Sequence, residues 1–206
     1  MSKKPKKWGD TLLSREELRS RKKMALIGAA AQEFRRHGYH GTSMDSIAGS
    51  IGVTKAALYR YIRSKDEVLY ECFKYSEKVG LRALDLAIQT EGDAPEKLKA
   101  FLREFIEGYL SSSLASGAMI EISALTDEQR ADVVAGRDRI DAGLIEIIQA
   151  GIDDGSLIRE KPKLMILTIM GSVNWIPSWF REDGDLGANQ IAEIFANTLI
   201  DGVRAR

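Results

Sequence analysis

The sequence predicts an all-α protein of about nine helices, with a three-helix N-terminal unit followed by a larger helical body. Three observations point there. Apolar residues recur at helical spacing along most of the chain, and no stretch alternates as a half-buried strand does. Ser14–Glu17, Ser64–Glu67 and Thr126–Gln129 each place a hydroxyl three residues before a Glu or Gln, the spacing at which a helix start satisfies its free N–H groups. Gly38, Gly52, Gly92, Gly155 and Gly184 stand where helices are expected to stop.

Taken in order, the first helix is expected over 15–37, opened by Ser14 and closed by Gly38. The arm before it, with Lys3, Lys4, Lys6 and Lys7, is too polar to fold and is expected to be disordered over 1–14. Thr42 or Ser43 caps a short second helix over 44–51, whose Met44, Ile47, Ala48 and Ile51 share a face. Ala48 is small where the next helix must cross. Gly52 supplies the turn, Val53 is expected to plug the space beneath it, and Thr54 caps a third helix over 55–62 with Leu58 and Ile62 inward. Ser64 opens a long helix over 65–90. Pro95, in a first-turn position, begins the next over 95–115. The remaining helices are expected over 118–124, 127–153, 163–180 and 187–203.

Composition narrows the class. The chain of 206 residues is 44% apolar and 29% charged, as ordinary globular proteins are. Leu164 to Phe180 is uncharged but falls short of a membrane span and contains Asn174 and Pro177, so a buried helix is expected there. The start shows no signal-peptide pattern and Cys72 is the single cysteine, which together point to a cytoplasmic protein without a disulfide. The net charge is zero but unevenly spread. Residues 1–70 hold 15 Lys and Arg against 7 Asp and Glu, and the rest of the chain carries the opposite excess. A basic segment joined to an acidic one suggests that the first part meets a polyanion.

The second and third helices with their glycine turn have helix-turn-helix spacing. With Leu58 and Ile62 inward, Lys55, Ala56, Ala57, Tyr59, Arg60 and Tyr61 are left outward. Such a face suits a major groove: alanine admits close approach, while Lys and Arg reach phosphates or guanine edges. Lys65, in the first turn of the next helix, adds a cation beside free backbone amides.

These residues resemble a known family. Phe34-Arg35-Arg36-His37-Gly38-Tyr39-His40-Gly41-Thr42-Ser43, Ile47-Ala48, Gly52-Val53-Thr54-Lys55, Leu58-Tyr59-Arg60-Tyr61 and Ser64-Lys65-Asp66-Glu67 are similar to the TetR-family DNA-binding domain. Ile62 stands where phenylalanine is commoner. The resemblance, which spans residues 20–70, implies that Thr42, Ser43, Thr54, Lys55, Ala56, Ala57, Tyr59, Arg60, Tyr61 and Lys65 contact DNA. It implies a homodimer on a palindromic double-stranded operator, and a ligand that swings the reading heads out of register. The division expected is a basic arm over 1–14, a DNA-binding domain over 15–65, and a ligand-binding and dimerisation domain over 66–206. The arm either follows the minor groove or stays a free tail.

In the body, Ile191, Ile194, Phe195, Thr198, Leu199 and Gly202 form an apolar stripe that packs within the chain or across a two-fold axis. Trp175 and Trp179 lie four apart with Pro177 between them and Asn174 beside the first. They serve either as packing at a dimer contact or as part of a ligand site. The second reading draws on similarity to a TetR subgroup with an Asn-Trp and Trp-Phe pattern before an acidic glycine turn, here Arg181-Glu182-Asp183-Gly184. That resemblance implies a small hydrophobic effector of the acyl-coenzyme A class; a drug-like or aromatic ligand of an efflux regulator is the alternative. Phe105, Tyr109, Met119, Met170, Asn174, Trp175, Trp179 and Arg181 are the ligand-binding candidates, with Arg137 and Arg139 as further phosphate partners.

No resident cofactor is expected. His37 and His40 lack partners at metal spacing, and no phosphate loop or nucleophile–base set is visible. A constitutive architectural DNA binder would have no use for the acidic body, and an all-helical enzyme would need catalytic residues that the sequence does not show. A transcriptional repressor, not an enzyme, is therefore the expected class.

Overall fold

The computed structural model describes residues 14–112 and 122–205. The basic arm and Met119, with most of the helix expected over 118–124, lie outside the described residues. Within them the chain forms eight α-helices: α1 (Arg15–Gly41), α2 (Met44–Ser50), α3 (Lys55–Tyr59), α4 (Lys65–Gln89), α5 (Ala94–Leu110), α6 (Asp127–Asp154), α7 (Pro162–Trp175) and α8 (Ala188–Asp201). Short 3₁₀ turns cover Ile122–Ala124 and Ile176–Ser178. No strand occurs among the described residues, only an isolated antiparallel bridge from Leu157 to Arg204 that ties the α6–α7 loop to the C-terminal end.

The helix starts follow local chemistry. Ser14 and Thr126 make complete reciprocal capping boxes with Glu17 and Gln129. At α4 the box is half made: Ser64 Oγ accepts from the Glu67 N–H at 3.1 Å, while the Glu67 carboxylate accepts from the Arg63 N–H at 2.7 Å. Asp93 caps α5, with Pro95 in its first turn. Gly38, at φ 71°, breaks α1, and the chain turns once more as helix to Gly41. That conformation is open to glycine at little cost.

Two cores divide the interior. The first gathers Ile27, Phe34, Ile47, Ala48, Leu58 and Ile62 with Val68, Leu69, Cys72 and Phe73 from the N-terminal half of α4. The second joins Ala83, Leu84 and Ala87 of α4 to α5, α6, α7 and α8, with α5 packed between α4 and α8. One helix thus belongs to both cores. Glycines let α6 and α4 close up: a Cβ on Gly143 would stand 2.6 Å from Leu84 Cδ2, and one on Gly136 would stand 2.5 Å from the Glu77 carboxyl carbon.

Several expectations need correction. Val53 does not plug the turn but is 37% exposed; its backbone N–H closes the turn on Ala48 O, and the core here is filled by Ile47, Leu58 and Ile62 without it. The helix expected over 163–180 gives way to 3₁₀ geometry at Ile176, where Pro177 takes an early-turn position. The stripe on α8 splits. Ile191 is buried with Ala192, Ala196 and Ile200, while Ile194 points outward.

Candidate functional site

Helix α3 presents its outer face as its inner face dictates. Leu58 is fully buried, which turns Lys55, Ala56, Tyr59 and Arg60 to solvent, with Ala57 half-buried; Tyr59 is 45% exposed. Thr54 Oγ1 accepts from the Ala57 N–H at 3.2 Å and fixes the start of the helix. Ser43 is exposed and caps α2 through reciprocal bonds with Ser46.

Three sequence candidates are held differently from the rest. Thr42 is buried, and its hydroxyl donates to Gly38 O at 2.8 Å, which commits it to the kink in α1. Tyr61 is half-buried against the first core. The Lys65 ammonium donates to Tyr39 O at 3.0 Å and Thr42 O at 3.2 Å, and stands 4.2 Å from the centre of the Tyr39 ring. It neutralises the carbonyl end of α1, a place that favours cations. Sequence spacing alone does not show this, because the contact depends on how α1 crosses α4.

The structure also adds cations that the sequence reading left out. Arg15, Arg19 and Lys22 of α1 share an open groove with Arg60 and Tyr61, and Arg63 stands on its other side with Tyr59. Their four- and three-residue spacing was the available signal. Glu67 stands beside Arg63, and a second acid opposes this field next to α3. Asp45 accepts a bond from Lys55 Nζ at 2.7 Å, and that bond holds the Lys55 ammonium above the ordinary lysine range. Asp45→Asn should therefore strengthen duplex DNA binding by about two- to five-fold, the scale of an exposed ion pair. Fluorescence anisotropy at fixed salt checks this, and in a Lys55→Ala background the gain should vanish.

The second feature is a cavity of about 340 Å³ where α4, α5, α6 and α7 meet. Phe73, Phe105, Val133, Ile140, Ile166 and Met170 give it apolar walls, and Asn174 is at its edge. Phe101, Phe105 and Tyr109 stack along α5 with centroids 5.6 and 5.5 Å apart, a ladder that runs from the second core into the cavity. Tyr109 is buried and its hydroxyl has no hydrogen-bond partner among the described residues; burial pushes the phenol well above its ordinary range. Arg137 also lines the cavity, with its guanidinium 5.3 Å from the Phe73 ring centre. The two acids are already engaged: Glu77 by Lys74 at 2.5 Å and by Arg139, Asp141 by Lys163 at 2.5 Å.

Of the ligand candidates, the cavity brings together Phe105, Tyr109, Met170 and Asn174. Trp175, Trp179 and Arg181 are not among its lining. Trp175 is 68% exposed, Trp179 stacks on Phe195, and Arg181 pairs with Asp183 at 2.9 Å in the following turn. The helix ends at Trp175, so the residues after it leave the cavity face. Phe73, Ser76 and Glu77 of α4 were missed, since only the crossing of α4 and α6 puts them there. Elsewhere, Cys72 is buried and its thiol is pushed up to about 12 by burial, so it has the character of a small apolar residue.

Two family models match the chain: bacterial regulatory proteins of the tetR family over residues 26–72, and the tetracyclin repressor-like C-terminal domain over residues 91–203. The fatty acid metabolism regulator protein of Bacillus subtilis is 25% identical, over 88% of this chain and 95% of its own length. Among solved structures, the TetR-family regulator PfmR from Thermus thermophilus is 28% identical with a TM-score of 0.76, covering 85% of this chain and 97% of its own. AibR, solved in complex with isovaleryl coenzyme A and operator DNA, is 28% identical with a TM-score of 0.74, over 86% and 97% of the two chains.

Proposed function

The chain belongs to the TetR family of bacterial transcriptional regulators, and from that premise we propose that it is a cytoplasmic homodimeric repressor released from a palindromic operator by an acyl-coenzyme A or related acyl compound. The reading head spans 15–65 and the ligand-binding and dimerising body 66–206. Ser43, Thr54, Lys55, Ala56, Ala57, Tyr59 and Arg60 would meet the major groove, while Arg15, Arg19 and Lys22 would take phosphates beside it.

The observation that carries ligand control is the double membership of α4. Its first half completes the core of the reading head, and its Phe73, Ser76 and Glu77 wall the cavity. Polar contacts make it a stiff lever. Lys23 of α1 pairs with Glu67 at 3.0 Å and Glu71 at 2.6 Å, while Tyr70 and Lys74 both bond Asp132 of α6, at 2.6 and 2.9 Å. A ligand that displaces Phe73 moves a helix to which the reading head is fastened.

Dimerisation is supported by the outer surface of α7 and α8. Leu164, Leu167, Trp175 and Ile194 are each about half exposed or more there, large apolar side chains of the kind that marks interaction surfaces when they gather on one face. Gly171 lies among them, and a Cβ added to it would meet nothing within 4 Å in the single chain. A second copy, packing its α7 and α8 against this face in a four-helix bundle, is the occupant proposed. The acyl class is supported by the apolar cavity and by two similar proteins, one named a fatty acid metabolism regulator and one solved with isovaleryl coenzyme A. Among the described residues no helix is long and apolar enough to cross a membrane.

A mobility-shift assay on the DNA upstream of the chain's own gene tests the reading. A specific shift reversed by an acyl-coenzyme A is expected. Absence of any specific shift there or on genomic fragments would sink it.

A further inference from the structure

Tyr109 is the one residue of the cavity whose polar atom is both fully buried and unpartnered among the described residues, apart from one oxygen of the ion-paired Glu77 carboxylate. A hydroxyl left in that state costs free energy in the folded chain, and folding alone gives it no compensation. Arg137 lines the same cavity, its guanidinium rests on Phe73 at 5.3 Å from the ring centre, and it is tied to no carboxylate among the described residues. The acids of the same cavity, Glu77 and Asp141, are both ion-paired. Tyr109 and Arg137, both with unspent donors, thus line one cavity beside an apolar wall, and the two acids of that cavity are already ion-paired.

From this we infer that Tyr109 and Arg137 form a two-point oxyanion and carbonyl site, with Tyr109 donating to the carbonyl or carboxylate oxygen of an acyl group and Arg137 holding the ligand's anionic part. The acyl tail lies along Phe105, Ile140 and Met170. A cationic amphiphile is excluded by the same arrangement, since it would meet Arg137 and would have to break an existing ion pair to reach a carboxylate. The inference rests on the cavity being the effector site, and its test uses free protein without DNA so that failure of the operator reading does not decide it.

The probes are octanoate, octanoyl-coenzyme A and octylamine, titrated calorimetrically into the full chain. The octanoyl compounds should bind at least ten-fold more tightly than the amine. The tighter of the two names the source, a free acid or a thioester. Tyr109→Phe should weaken the better octanoyl probe about ten-fold while leaving the unliganded melting temperature equal or higher, because it removes only the orphaned hydroxyl. A merely structural tyrosine would move stability down. Arg137→Gln, at an exposed position, should weaken the same probe by a similar factor. Equal or tighter binding of octylamine, unchanged octanoyl affinity in Tyr109→Phe, or no binding of either octanoyl probe would each overturn the assignment.

Discussion

Trp175→Glu should produce a folded monomer that has lost most of its affinity for a two-half-site operator. The side chain is 68% exposed at the end of α7, so the protomer gives up little internal packing when it changes. In the proposed dimer the same position would meet the partner's α7–α8 surface, and the substitution would add a carboxylate to each side of a face that also carries the exposed Leu164, Leu167 and Ile194. Linking two reading heads raises affinity by about 10²- to 10⁴-fold through effective concentration alone. Losing the link should cost a comparable factor on a palindromic operator and almost nothing on a single half-site. Light scattering gives the mass and anisotropy gives the two affinities. A variant that remains dimeric, or a monomer that still holds the full operator as tightly, would place the dimer contact on another surface.

Much of the fold was legible because its signals are local. A hydroxyl three residues before a Glu or Gln satisfies two backbone groups wherever it stands, so Ser14 and Thr126 start helices at their expected places. Gly38, Gly52 and Gly155 adopt positive φ where stops were expected. The second and third helices were set by Ala48, Gly52 and Leu58 in the same way, which is why most of the outer face of α3 was read correctly as outward. The expectations that failed were ones that needed to know which neighbour covers a face. Ile191 and Ile194 belong to one periodic stripe, yet one is core and the other surface, because α5 occupies only part of that arc.

The cavity shows the same division. Phe105 and Tyr109 were reachable from the apolar face of α5, and Met170 and Asn174 from the pattern on α7. The two tryptophans are large and four apart, yet Trp175 is exposed on the last turn of α7, away from the cavity lining, and the 3₁₀ turn over Ile176–Ser178 takes Trp179 off that helix. Thr42 and Lys65 illustrate the converse. Both have the chemistry of DNA contacts, and both are engaged at the end of α1, Thr42 through Gly38 O and Lys65 through Tyr39 O. Side-chain type proposes a role, and long-range packing decides whether the group is still available for it.

Phe101→Ala should combine the largest loss of stability with a change of ligand preference. The ring is buried at the inner end of the α5 ladder, stacked on Phe105 with planes 8° apart. Removing a buried phenylalanine costs ~3–5 kcal/mol. For a chain of this size that corresponds to a fall in melting temperature of about 6–20 °C. The lost volume lies next to Ile166 and Met170, which border both the ring and the main cavity, so the two spaces should merge. Each methylene that enters apolar space contributes ~0.8 kcal/mol, about a four-fold gain in affinity. A twelve-carbon acyl probe should then gain on the eight-carbon one by at least ten-fold relative to the wild type, measured by titration below the lowered melting temperature. An unchanged ratio in a variant that has lost the expected stability would mean that the tail runs away from α5, and that the ladder is core rather than the floor of the acyl site.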